Sequence, residues 1–119
     1  MENKGFVFFD ERMEGCRERQ RRLQGEDRGD EANFERIREN VYDIFKTVVS
    51  VAVKKCGGDC RKAREFFEDR LEGIPSKWES SFEKAKRFDD VEKMHVESVK
   101  LEVVKDVKEN ISRIWGESA

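Results

Sequence analysis

One stretch of the chain, residues 30–55, constrains the possible folds more than any other, because its apolar residues recur at helical spacing. The spacing alternates between three and four residues, which keeps one seam of a helix facing a partner helix. The seam consists of Phe34, Ile37, Val41, Ile44, Val48 and Val51. Beyond Val41, further apolar residues confine the polar side chains to an arc of about 100° around the helix. The stretch therefore predicts a long helix at the centre of a helical bundle.

Capping residues and helix breakers divide the chain after this central helix into three more helices. Asp59 is expected to cap a helix that ends at residues 73–75, because proline disfavours helical backbone in the residue before it. Two sequences fit capping boxes, Ser76–Glu79 and Asp89–Glu92. They predict one helix that begins at residue 76 and a last helix that extends to about Trp115.

The overall prediction is an all-α protein, a small antiparallel bundle of four main helices over residues 30–116. Residues 99–103 alternate like a strand, but we interpret them as helix because a lone strand would have no partner to pair with. Residues 1–29 are predicted to form an N-terminal arm or an extra short helix. Apolar residues are sparse in that segment, and its glycines favour a turn before residue 30.

The composition allows a core, although a thin one. Leu, Ile, Val and Phe make up 29 of the 119 residues, and charged residues make up 44%. That apolar content lies above the level, about 20%, below which highly charged chains stay disordered. The 25 basic and 27 acidic residues nearly cancel, so no net field steers the molecule to nucleic acid or to an anionic membrane. A small core favours the burial of further apolar surface against a second copy of the chain.

No targeting or membrane signal is recognised in the sequence. The apolar run near the N-terminus, Phe6–Phe9, is too short for a signal peptide. The longest apolar-rich stretch, residues 41–53, contains charged residues and is shorter than the roughly 20 residues that span a bilayer. Three cysteines form no secreted-type disulfide framework. We therefore expect a cytoplasmic protein.

The apolar residues near the N-terminus suggest a function in protein–protein contact. An exposed cluster of this kind would form a sticky patch, so it must either fold back on its own bundle or dock on a neighbouring chain. Together with the start of the central seam, the cluster gives seven interface candidates. They are Phe6, Val7, Phe8, Phe9, Phe34, Ile37 and Val41. The resulting hypothesis is a non-enzymatic protein–protein interaction module that binds a second copy of itself, as a homodimer, or another protein.

An alternative hypothesis, a nucleic-acid-associated regulator, depends on the one dense basic run. Its candidate phosphate contacts are Arg17, Arg19, Arg21 and Arg22. Acidic residues at helical spacing can neutralise these arginines, and no aromatic residue is interleaved with them to stack on bases. The sequence therefore favours the interaction module.

Three patterns that resemble chemical sites have simpler explanations. Cys56 and Cys60 are separated by three residues rather than the two usual in zinc knuckles, and the residues between them are needed to end one helix and start the next. Glu92 and His95 match half of a di-iron element, but the chain has a single histidine. The acidic residues around Glu65 fit a solvated helix face. We therefore predict no catalytic residue, no metal or cofactor site, and a protein that is not an enzyme.

Overall fold

The chain folds into helices, as its apolar spacing predicts. A computed structural model describes the backbone of residues 2–116 and the side chains of residues 6–116, and this part of the chain contains helices and no strand. The helices are α1 (Glu2–Gly25), α2 (Gly29–Lys55), α3 (Cys60–Gly73), α4 (Ser76–Arg87), α5 (Val91–Glu109) and the single turn α6 (Ile111–Ile114). The all-α prediction is confirmed, and the strand-like residues 99–103 lie inside α5.

Contacts between the helices define their directions. α1 and α2 are antiparallel, because Lys46 binds Asp10 whereas Arg17 binds Glu39. α2 and α5 are parallel, because the residue numbers of contacting residues increase in the same direction along both helices. The partners are Phe34 with His95, Arg38 with Glu102, and Tyr42 with Asp106. α2 thus contacts α1 on one side and α5 on another.

α3 and α4 follow each other with only two residues between them. Ile74 and Pro75 join the two helices, and both have right-handed helical dihedrals. Proline lacks the N–H that would continue the hydrogen-bond ladder, so the helix is interrupted at this point. α4 and α5 then pack as a hairpin, with Lys100 above the ring of Trp78. The predicted bundle of four main helices is therefore present, with α1 packed against it.

One aromatic cluster forms the centre of the core. Phe45 of α2 meets the rings of Phe67 and Trp78 edge-on, each at a centroid distance of 6.4 Å. Phe67 in turn contacts Trp115 at 5.7 Å. Such edge-to-face pairs add a favourable quadrupole term to the burial of large rings. The contacts bring α2, α3, α4 and the residue after α6 into a single core.

The N-terminal segment is not the arm or short, weakly attached helix that its sequence suggests. α1 has 24 residues and buries Phe9, Cys16 and Leu23, which recur every seven residues along one face. This narrow apolar face is sufficient because charged side chains beside it bind α2, as Arg19 binds Glu35. Phe9 and Cys16 belong to the same buried cluster as the aromatic core. α1 therefore shares buried residues with the helices that follow residue 29.

The buried face of α2 differs from the predicted seam. The face that the bundle buries is centred about a quarter of a turn from the seam. It consists of Val41, which also belongs to the seam, and of Tyr42, Phe45, Val49 and Ala52. Ile44 and Val51 of the seam are 39% and 45% exposed. The expectation that the whole seam faces the bundle is therefore wrong for these two residues.

Capping follows the sequence only in part. Asp59 accepts a hydrogen bond from the Lys62 amide and caps α3, as predicted. α5 is capped by Asp90 instead of Asp89, because Asp89 adopts a positive φ of 56° in the turn before the helix. Ser76 is already helical, and its hydroxyl donates to the carbonyl of residue 73 rather than capping α4.

The last predicted helix is shorter than expected. α5 ends at Glu109, and Asn110 separates it from α6. The Asn110 side chain donates to the Asp106 carbonyl at 2.8 Å and to the Asp106 carboxylate at 3.1 Å. An asparagine that binds the preceding turn in this way competes with the helical backbone. Among residues 2–116, no helix is long and apolar enough to cross a membrane.

Candidate interaction surface

A row of apolar side chains along α2 is left partly open by the bundle. We call this row the α2 stripe, and it consists of Ile37, Ile44, Val48 and Val51. Ile37 and Val48 are half-buried, whereas the other two are exposed. The residues recur every three, four or seven positions, so they line one face over four turns of the helix. α2 thus has two apolar faces, one in the core and one at the surface.

Exposed charges lie at the two ends of the α2 stripe. Asp30 in the first turn of α2 and Lys55 in its last turn lie on the same face as the stripe. Both are exposed, and Asp30 forms no ion pair among the described side chains. The Lys55 ammonium lies 5.3 Å above the ring of Phe66. The stripe is therefore acidic at one end and basic at the other.

The predicted N-terminal interface is largely internal. Phe8 and Phe9 are fully buried, and their rings meet edge-on at 5.1 Å. In the structure, these two residues therefore fold back on their own bundle, which was the first of the two predicted alternatives. Phe8 and Phe9 are not available to a second chain, because they fill the core between α1 and α2. Phe6 is half-buried with Lys46 above its ring, and Val7 is 50% exposed.

The other three interface candidates lie on α2 and differ in exposure. Val41 is buried in the core, so it is not a surface residue. Phe34 is half-buried and lies against His95, with ring centroids 3.9 Å apart. Ile37 is half-buried and belongs to the α2 stripe. Of the seven predicted interface residues, Ile37 is therefore the one that belongs to the α2 stripe.

Two of the arginines proposed to bind phosphate are held by carboxylates of α2. Arg17 donates to Glu39 at 2.8 Å, and Arg19 donates to Glu35 at 2.9 Å. These hydrogen bonds raise the pKa of both arginines above its ordinary value. A phosphate would have to displace an existing acceptor at each position. The two arginines serve instead to attach α1 to α2.

The remaining arginines of the basic run are exposed. Arg21 donates at 3.3 Å to Glu14, which also accepts from Arg17. Arg19 and Arg22 lie on the opposite half of α1. The run is therefore divided around the helix and does not form one positive face. The nucleic-acid hypothesis stays a prediction that nothing in this geometry favours.

A polar cluster that sequence reasoning missed connects α1, α2 and α5. Asp106 accepts hydrogen bonds from Arg12 at 2.8 Å and from the Tyr42 hydroxyl at 2.6 Å. Burial alone would raise the pKa of Asp106, but the bonds from Arg12 and Tyr42 outweigh it and hold this pKa below its ordinary value. Burial and the neighbouring carboxylate raise the pKa of Tyr42. The group is a structural junction, and no local pattern predicts it because Arg12 and Asp106 are 94 residues apart.

The three cysteines are free and lie in different surroundings. Cys16 is buried, Cys56 is half-buried and Cys60 is exposed. Gly57 and Gly58 have φ values of 56° and 90°, a conformation that glycine adopts readily, so they close the turn between α2 and α3 as expected. Burial raises the pKa of the Cys16 thiol.

Thiol labelling is expected to separate Cys60 from Cys16. In the folded protein iodoacetamide should alkylate Cys60 rapidly and Cys16 only after unfolding, because the buried thiol forms little thiolate. Peptide mass spectrometry after a short pulse measures both sites. The same pulse in denaturant is the control, since all three thiols should then react at similar rates. Equal labelling of Cys16 and Cys60 in native buffer would contradict the packing of α1.

The acidic and histidine patterns do not converge into a metal site. Glu65 pairs with Arg61 and Glu68 pairs with Arg64, each at a spacing of four residues on α3. His95 is exposed beside Phe34. Among the described residues, no group of three potential metal ligands comes together.

Comparison with known proteins adds no family. The chain matches no protein-family model, no curated protein and no solved structure. Its function is therefore inferred from its surface and its packing.

Proposed function

We propose that this protein is a non-enzymatic interaction module that forms a homodimer through the α2 stripe. The observation that supports the proposal is the second apolar face of α2, which the rest of the bundle leaves open. Ile44 and Val51 gain nothing from this exposure within a monomer, whereas burying their side chains against another chain removes apolar surface from water. Free cysteines in an odd number support a reducing compartment, which we propose is the cytoplasm.

The exposed surface is larger than that of a compact chain of the same mass. The accessible surface is 7523 Å². A compact monomer of this mass would expose roughly 6,700 Å². The larger surface reflects an elongated molecule, with extents of 45 × 35 × 25 Å. The radius of gyration of 15.7 Å likewise exceeds the roughly 13.5 Å of a compact domain of this length.

The Ile44→Asp variant is expected to be a folded monomer. Ile44 lies in the middle of the α2 stripe and is exposed in the single chain, so an aspartate there stays hydrated and the helices remain intact. In a dimer the same carboxylate would be buried without a partner, which costs several kcal/mol. We expect the dimer dissociation constant to rise at least 100-fold. Sedimentation velocity over a range of concentrations measures the association, and circular dichroism measures the helical content.

The matched control is Phe88→Asp. Phe88 is 74% exposed, lies at the turn between α4 and α5, and is not part of the α2 stripe. This variant should dimerise like the unmodified chain. A chain that is monomeric at every concentration tested would overturn the proposal, and so would a Phe88→Asp variant that loses association while Ile44→Asp keeps it.

A further inference from the structure

We infer that the two copies of the proposed homodimer pack α2 against α2 in antiparallel orientation, with Asp30 of each chain facing Lys55 of the other. The inference depends on the proposed function, because it assigns the orientation of that same interface. It adds a specific arrangement of charges that sets how one copy recognises the next.

The spacing of apolar residues along α2 is the first argument. Within the α2 stripe, Ile37 and Val48 are equally distant from a point between Tyr42 and Asp43. An antiparallel pair related by a two-fold axis at that point places Ile37 opposite the partner's Val48. The two Ile44 side chains then lie on either side of the axis, within one helical turn of each other. An isologous interface requires this self-complementarity.

The charges at the ends of the α2 stripe are the second argument. Asp30 and Lys55 are equally distant from the same midpoint, so the axis that aligns the apolar residues also pairs these two charges. Both are exposed and flank the apolar row. An antiparallel dimer gains this pair twice, whereas a parallel dimer would place Asp30 against Asp30 and Lys55 against Lys55. Rim charges of this kind set orientation and partner choice.

The backbone and neighbouring charges favour the same orientation. Lys54 is exposed beside Lys55 at the C-terminal end of α2, whereas Glu31 beside Asp30 is paired with Arg28. The N-terminus of a helix has a partial positive charge and its C-terminus a partial negative charge, so antiparallel helices align opposite partial charges. The side-chain charges are concentrated at the same two ends. Both effects therefore disfavour a parallel dimer.

A charge exchange tests the orientation. Asp30→Lys alone and Lys55→Glu alone should each weaken the homodimer about tenfold at low salt, because each change creates two repulsive pairs in place of two attractive ones. An equimolar mixture should recover association to within about threefold of the unmodified chain. In the heterodimer each introduced charge faces an opposite one. Native mass spectrometry identifies the heterodimer, and sedimentation velocity measures its dissociation constant.

The controls separate this inference from the proposed function. Asp43→Lys makes the same change on the polar face of α2 and should leave association unchanged, so it accounts for the change in net charge. Thermal melts of each variant exclude unfolding as the cause. If the unmodified chain dimerises, Ile44→Asp does not, and the charge variants associate like the unmodified chain, the orientation is wrong and the interface stands. If Ile44→Asp also dimerises normally, the proposed function fails first.

Discussion

Replacing Phe8 with alanine should lower the free energy of unfolding by about 3–5 kcal/mol, the usual cost of removing a buried phenylalanine. The Phe8 side chain is fully buried and meets the rings of Phe9 and Tyr42, so its loss opens a cavity between α1 and α2. The guanidinium groups of Arg12 and Arg113 lie 4.9 Å and 5.5 Å from the centre of the same ring and would lose that contact. Stabilities of small domains are about 5–15 kcal/mol, so this loss is a large fraction of the total.

Urea unfolding followed by circular dichroism, at one fixed protein concentration, measures the effect of Phe8→Ala. The control is Val7→Ala, which changes the neighbouring residue on the exposed side of α1. That variant should lose less than about 0.5 kcal/mol. Equal effects of the two substitutions would mean that the N-terminal segment does not pack against the bundle.

Replacing Asp106 with alanine should cost about 2–3 kcal/mol, because it removes the shared acceptor of Arg12 and the Tyr42 hydroxyl. The Tyr42 side chain is buried, so its hydroxyl would remain without a partner in the protein. The control on the same helix is Glu102→Ala. Glu102 accepts from Arg38 at 3.1 Å at the surface, and such pairs contribute about 0.5 kcal/mol.

The effect of Asp106→Ala should also depend on pH. The hydrogen bonds from Arg12 and Tyr42 leave the pKa of Asp106 lower in the folded protein than in the unfolded chain. The contribution of this carboxylate is therefore complete above its ordinary pKa and is lost as the pH falls through the lower, folded value. The stability difference between the two proteins should be constant from about pH 8 to pH 5 and shrink below about pH 4. A difference that grows on acidification would contradict the cluster.

Much of the fold could be predicted from residues that act locally. Asp59 caps α3 with its own side chain, and the proline at position 75 separates α3 from α4 where the sequence indicates a break. The apolar spacing of residues 30–55 predicts α2 almost to its ends. These features depend on residues within one or two turns of each other. The sequence shows such relationships directly.

The attachment of α1 and the direction of the α2 faces could not be predicted in the same way. Cys16 is buried between α1 and the rest of the bundle, where the neighbouring Arg17 and Arg19 bind Glu39 and Glu35 of α2. Ile44 matches a core residue by spacing alone, and it lies at the surface because the neighbouring helices cover the other apolar face. The Asp106 cluster joins residues that no periodicity relates. Such pairings depend on tertiary packing, which a single sequence does not specify.

The central position of α2 links association to folding. This helix contacts α1, α3 and α5, so a second copy bound along its open side would stabilise the element on which the rest of the chain depends. Ligands that bind only the folded state raise its stability by mass action, and here the ligand is the protein itself. On the proposed dimer, the folded fraction would therefore rise with the amount of protein present. A bundle with a thin core would then be most resistant to unfolding and proteolysis where it is most abundant.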